Sequence, residues 1–158
     1  MTEMESDDSS LLRGQLKRLV RRHYRNQGEG RNSLELLAEL QELLRGAEQK
    51  RDRKLLRRAH SLCAQVCLQE QPAASLEHSR RAIELKSTSS RDYLYAAGLS
   101  LERKRPEDAL RFLGLGRERG ALSEKDFRSF REAVLKWKEE HGDSSPGSDL
   151  RDGPGGPA

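Results

Sequence analysis

LRRAHSLCAQVCLQEQPAASLEHSRRAIELKSTS (residues 56–89) runs directly into SRDYLYAAGLSLERKRPEDALRFLGLGRERGALS (residues 90–123), and the second block repeats the first at a spacing of 34 residues. Pro72 aligns with Pro106, Ser75 with Ala109, Leu76 with Leu110 and Cys67 with Leu101. A fixed period of this length reads as two copies of one helical hairpin, a unit that cannot bury its apolar face alone.

Each block divides into two helices with definite core slots. In the first block Ala59, Leu62, Cys63 and Val66 fill the slots of the leading helix, and Ser75, Ser79 and Ala82 those of the following one. The second block places Tyr93, Ala96, Ala97 and Ser100 in its leading helix, then Ala109, Leu113 and Gly116. Small residues at Ala97, Ser75, Ala82, Ala109 and Gly116 let helix backbones approach closely, which a bulky side chain would prevent. This pattern resembles the tetratricopeptide repeat, whose period is also 34 residues. The chain departs from the family where helix A carries Cys63 or Ala97 for glycine, helix B carries Ser79 or Leu113 for an aromatic, and the inter-helix glycine is Glu70 or Lys104. The resemblance implies an all-α, α-solenoid-like stack of two hairpins with a concave surface for a partner protein. Only two copies are visible, whereas about three are needed for stability, so flanking helices are expected to supply the rest.

Those flanks are legible. Ser123 to Asp126 reads as a capped helix start, followed by Phe127, Phe130, Val134, Leu135 and Trp137 at largely helical spacing, which predicts a capping helix over 124–140 ending near Gly142. Upstream, NSLE at 32–35 resembles a capping box, and Leu36, Leu37, Leu40, Leu43 and Leu44 form one apolar stripe. This segment fails the 34-residue register because Gln41, Arg45 and Glu48 would fall in small slots; it is a divergent half-repeat or an unrelated cap. If nothing covered Leu36, Leu40 and Leu43, their exposed edge would mark an interface. The helical domain is thus expected over 32–140, with an acidic, disordered 1–9 before a basic amphipathic helix at 10–27. The Gly/Pro/Ser-rich tail at 141–158 is expected to be disordered as well.

Composition excludes several classes. With 35% charged and 34% hydrophobic residues in 158, the chain supports one small domain and loose ends. Alternating β-branched runs are missing, and only three Phe, three Tyr and one Trp occur. No apolar run approaches the roughly 20 residues that span a bilayer, and the acidic start does not fit a secretory signal, so a cytoplasmic or nuclear protein is expected.

The net charge of +4 hides a strong asymmetry: residues 1–10 carry four acids and no base, while 11–60 carry 14 Lys or Arg against six acids. In LLRGQLKRLVRRHYR at 11–25, Leu12, Leu16, Leu19, Val20 and Tyr24 form a stripe beside Arg13, Lys17, Arg18, Arg21, Arg22 and Arg25. Such a helix binds phosphates of RNA, an anionic membrane surface or calmodulin, or it packs on the domain with a solvated basic back. Gly14 lowers its stability as an isolated helix by roughly 1 kcal/mol relative to Ala. A second basic cluster, Lys50, Arg51, Arg53, Lys54, Arg57 and Arg58, reads as a nuclear localisation or RNA contact, or as the wet face of a helix. Stacking aromatics are not interleaved with this second cluster, which disfavours specific nucleic-acid recognition through it.

From the resemblance, ligand-facing helix A positions fall on Arg57, His60 and Ala64, then on Arg91, Leu94 and Gly98, with Lys125 and Arg128 at equivalent sites on the capping helix. Four cations around one concavity favour an acidic peptide or a terminal carboxylate. Chaperone-binding members of the family place asparagines where this chain has Ala64 and Gly98, so that particular recognition is not expected. The bland alternative is that Arg57 and Arg91 pair with nearby acids, at under about 1 kcal/mol each.

Chemical signatures are thin. His60, Cys63 and Cys67 recur on one helix, and His78 on the next makes a zinc site conceivable, but both cysteines occupy core slots where a thiol acts as a small hydrophobe. Partners at i and i+4 on a helix are poorly placed for a disulfide. Gly114 and Gly116 lie inside a helical pattern rather than between strand and helix, and Gly120 suits a helix C-cap. The sequence carries no nucleophile–base pair, carboxylate dyad or cofactor fingerprint. It therefore predicts a non-enzymatic adaptor without cofactor, metal or small-molecule substrate that holds an acidic partner segment in a groove. The alternative is a nucleic-acid accessory protein acting through 11–25 and 50–58.

Overall fold

Prolines and short polar side chains set where most of the helices begin. The computed structural model describes residues 2–30 and 33–142 and holds, among them, helices and no strand. In chain order these are α1 (Thr2–Gly28), a 3-10 turn (Leu34–Leu36), α2 (Leu37–Gln49), α3 (Arg53–Cys67), α4 (Pro72–Glu84), α5 (Ser90–Glu102), α6 (Pro106–Glu118) and α7 (Glu124–His141). Pro72 and Pro106 open α4 and α6, where the missing N–H would have had no intrahelical acceptor. Asp52 caps α3 by accepting from the Leu55 N–H at 3.1 Å, and Ser123 caps α7 by accepting from the Asp126 N–H at 3.0 Å.

Four helix ends, those of α2, α4, α5 and α6, share one device. Arg51, Lys86, Lys104 and Gly120 adopt left-handed φ values of 54°, 69°, 62° and 76°. Each is followed by an N–H that reaches back to a carbonyl five residues earlier: Asp52 to Ala47, Ser87 to Ala82, Arg105 to Ser100 and Ala121 to Gly116, at 2.8–3.1 Å.

The helices group into two units, Met1–Ser87 and Thr88–Ala158. In the first, α3 and α4 pack as one hairpin, α2 lies on α3, and α1 contacts both α2 and α3. Its core joins Leu16 and Leu19 of α1 to Leu36, Leu40, Leu43, Leu55, Leu56, Leu62 and Val66. The edge along Leu36, Leu40 and Leu43 is therefore closed, each residue being at most 2% exposed. Gly46 lets α1 approach α2, since a Cβ there would stand 3.3 Å from the Leu12 side chain. In the second unit α5 and α6 form the other hairpin and α7 packs on α6. Here Gly116 is required: a Cβ would meet Tyr93 Cγ and Leu122 Cδ1 at 2.9 Å.

Several sequence expectations shift. The helix expected over 10–27 begins at Thr2. Of the proposed 32–35 capping box, Asn32 lies outside the described residues, and α2 starts instead from the 3-10 turn with no side-chain cap. The capping helix ends at Gly142 (φ 66°) as its pattern predicts, but its apolar stripe is only partly covered. Val134 is buried, while Phe130 and Leu135 are 42% and 36% exposed. Of the tail expected over 141–158, His141 closes α7 and residues 143–158 lie outside the described residues.

Candidate functional site

Helical periodicity divides α1 into two working faces. Leu16, Leu19, His23 and Asn26 are buried on one side. Arg18, Arg21, Arg22 and Arg25, at i, i+3, i+4 and i+7, share a neighbouring face that stays in water. These four arginines, with Gln15 and Leu19 of α1 and Glu39 of α2, line an open groove of about 380 Å³ within the first unit. Lys17 of the same helix is exposed outside it.

The groove is unevenly neutralised. Arg22 Nη1 donates to Glu39 Oε2 at 2.8 Å, and its Nη2 stands 3.9 Å from Glu35 Oε1. Among the described residues Arg18, Arg21 and Arg25 enter no ion pair, and all three are exposed. Arginines gathered along one helix face beside a groove wall concentrate positive potential beyond what the same charges would give when dispersed over the surface.

The position of α1 is held at both ends of its described surface. Arg13 Nη2 bonds Asp52 Oδ2 at 2.9 Å, and the Tyr24 hydroxyl donates to Gln65 Oε1 at 3.0 Å. Burial by itself would raise the Asp52 carboxyl. The Leu55 N–H, the bond and charge of Arg13, and a bond from Ser9 together outweigh it and hold the pKa below its ordinary 3.8. Asp52 thus both caps α3 and anchors α1, a role its place inside the basic 50–58 cluster conceals.

The residues expected to line a concave groove divide between the units. In the first, Arg57 is half-buried and His60 is 8% exposed, facing into the α3–α4 hairpin instead of a groove. Ala64 is also fully buried, and its carbonyl accepts from the Ser75 hydroxyl at 2.7 Å. In the second, Arg91 is exposed and Leu94 half-buried on α5, while Lys125 and Arg128 are exposed on α7. Arg128 Nε lies 3.4 Å from Glu124, which also takes Arg117 at 3.5 Å.

His60 Nδ1 and His78 Nδ1 stand 2.9 Å apart, so one ring supplies the N–H and the other the lone pair. Burial, then the neighbouring His78 and Arg81, pushes the His60 pKa down to about 4. The His78 pKa is also lowered, by burial first, with Glu77 opposing and Arg81 assisting. Both rings are therefore neutral near pH 7. Cys63 and Cys67 are buried free thiols. Burial and then Cys67 push the Cys63 pKa up to about 12, and burial raises that of Cys67, so neither is an activated nucleophile. Among the described residues no three His, Cys, Asp or Glu side chains are placed to hold a metal ion.

The sequence names the four arginines but not their wall: nothing local brings Glu39 beside Arg22, because that contact depends on how α2 packs on α1. Comparison with protein-family models, with curated proteins and with solved structures finds no match, so the tetratricopeptide likeness rests on residues 56–123 alone.

Proposed function

We propose that this protein is a non-enzymatic interaction module, cytoplasmic or nuclear, that captures an acidic segment of a partner protein. The observation that carries this reading is the α1–α2 groove, which Arg18, Arg21 and Arg25 line without a carboxylate partner among the described residues. The basic residues expected from the repeat register carry it less well. His60 is engaged with His78, and Arg128 with Glu124. Guanidiniums bind carboxylates and phosphates with two parallel hydrogen bonds, which suits a negatively charged chain lying along one helix.

The geometry disfavours the other occupants of a basic amphipathic helix. Membrane insertion needs a free apolar face, whereas Leu16 and Leu19 are 1% and 5% exposed in the core. No described helix is long and apolar enough to cross a membrane. Single-stranded nucleic acid favours aromatic stacking platforms, and the groove lining has none.

The test is fluorescence anisotropy with a labelled Glu/Asp-rich peptide and a labelled oligouridine of equal charge, each at low and moderate salt. Wild-type protein should prefer the peptide, and the triple variant Arg18→Ala, Arg21→Ala, Arg25→Ala should lose it with an unchanged melting temperature. Binding of the oligouridine alone, or peptide binding indifferent to the three arginines, would overturn the reading.

A further inference from the structure

Resting on that reading, we infer that the α1–α2 groove is selective for a phosphorylated serine or threonine within the acidic segment, with Glu39 as the internal anion that the phosphate displaces. Glu39 already occupies Arg22 at 2.8 Å, with Glu35 on its flank at 3.9 Å. A ligand carboxylate reaching Arg22 therefore competes one for one with a tethered carboxylate. That is a near-balanced exchange in which the resident group has the advantage of being intramolecular.

A phosphomonoester changes the balance. It carries about −1.5 to −2 charge at neutral pH and three acceptor oxygens, so it can bridge two or three guanidiniums at once. The groove offers three that are not in ion pairs, Arg18, Arg21 and Arg25, beside the one that is. Their i, i+3 and i+7 placement puts them along one helix face, so one phosphate at the centre leaves an end for a flanking acidic side chain. Phosphodiesters of a nucleic acid carry a single charge each and give no such concentration of charge at one point.

Glu39 is 53% exposed and Arg22 is 35% exposed, so neutralising the glutamate leaves no buried charge behind. Glu42, one turn further on, pairs with Arg45 and lies outside this groove, which makes it the matched control.

The experiment measures the Kd of one synthetic peptide, Glu-Asp-Glu-Ser-Glu-Asp-Glu, with and without phosphate on its serine, against the full chain and its Glu39→Gln, Glu42→Gln and Arg21→Ala variants. Phosphorylation should tighten binding to wild type by about tenfold or more. Glu39→Gln should tighten the phosphopeptide by roughly threefold further, Glu42→Gln should leave it unchanged, and Arg21→Ala should weaken it by about tenfold. Equal affinity for the two peptides, or equal gains from Glu39→Gln and Glu42→Gln, would overturn the inference while leaving acidic-segment capture standing. Failure of wild type to bind either peptide would overturn the broader reading as well. Inorganic phosphate competing at the phosphopeptide's own concentration would show a free-anion site and overturn recognition of a segment.

Discussion

The α3–α4 and α5–α6 hairpins share one register and fill it with opposite chemistry. Where the first has Ala59 and Ala82, both fully buried, the second has the buried Tyr93 ring lying against Gly116. Where the first pairs His60 with His78, the second has Leu94 and the buried Phe112. The Ser75 hydroxyl bonds a carbonyl across the first hairpin, and its counterpart is Ala109. A repeat register specifies where helices meet; it leaves open whether the meeting is made by an aromatic ring over a glycine or by short polar groups that satisfy one another.

The sharpest way to break the comparison is to remove the ring. Tyr93→Ala should destabilise the second hairpin by about 3–5 kcal/mol, the usual cost of emptying a large buried site. Gly116→Ala should cost about 1–3 kcal/mol, since its Cβ arrives 2.9 Å from both Tyr93 and Leu122. The double variant, which restores the Ala–Ala pair of the first hairpin, should be better than additive by about 1 kcal/mol, because only Leu122 then remains in the way. Urea unfolding of the four proteins measures this coupling; strict additivity would mean that the ring is not what makes Gly116 necessary.

Acidity should separate the hairpins next. Unfolded imidazoles take up protons near pH 6.5, whereas folded His60 resists until about 4 and His78 is lowered in the same direction. The unfolded chain therefore binds more protons in this window. The contribution is fully present above pH 6.5 and is lost as pH falls towards 4. Placing the second hairpin's residues in the first, His60→Leu with His78→Phe, should flatten the fall in melting temperature between those two pH values. An unchanged slope would assign the acid sensitivity elsewhere.

Much of this architecture was readable from local signals. The 34-residue spacing, the Ser123 cap, Gly142 and the small residue at Gly116 all act within a few residues or at a fixed offset; α7 begins and ends where its signals place it, and Gly116 stands at a close approach to Tyr93. The His60–His78 contact was not readable in the same way, since the register alone sends His60 towards a ligand. A 2.9 Å contact depends on side-chain direction across two helices. The candidate site divides likewise: its arginines declare themselves at helical spacing, but the choice of which stay unneutralised was made by Glu35 and Glu39 through tertiary packing. Asp52 was hidden because five cations surround it between 50 and 57, and charge counting averages away a single capping carboxylate.

Ser75→Ala gives a smaller break. It installs the second hairpin's residue type and leaves the Ala64 carbonyl without its 2.7 Å donor, at a cost of about 1 kcal/mol. Ala109→Ser, the reverse exchange, should not recover that amount, because a hydroxyl gains only where an acceptor already faces it. A matching gain would show instead that the α5–α6 crossing holds a latent acceptor.

The smallest effect tests how the two hairpins turn. Lys104 holds φ 62° between α5 and α6, and Arg105 closes the turn by donating to Ser100 at 2.9 Å. Its register partner, Glu70, is outside the left-handed region, and there Gln71 donates to Cys67 at 2.8 Å in ordinary helical spacing. The two turns therefore make opposite demands on the same repeat position. Lys104→Gly should stabilise by about 0.5–1 kcal/mol, as relief of the left-handed strain exceeds the extra entropy of glycine when unfolded. Glu70→Gly has no such strain to relieve and keeps only the entropic loss, so it should destabilise by about 0.5–1 kcal/mol. Urea midpoints moving in opposite directions would establish that the difference lies in backbone conformation; midpoints moving together would mean that side-chain contacts at these two positions, and not φ, decide the outcome.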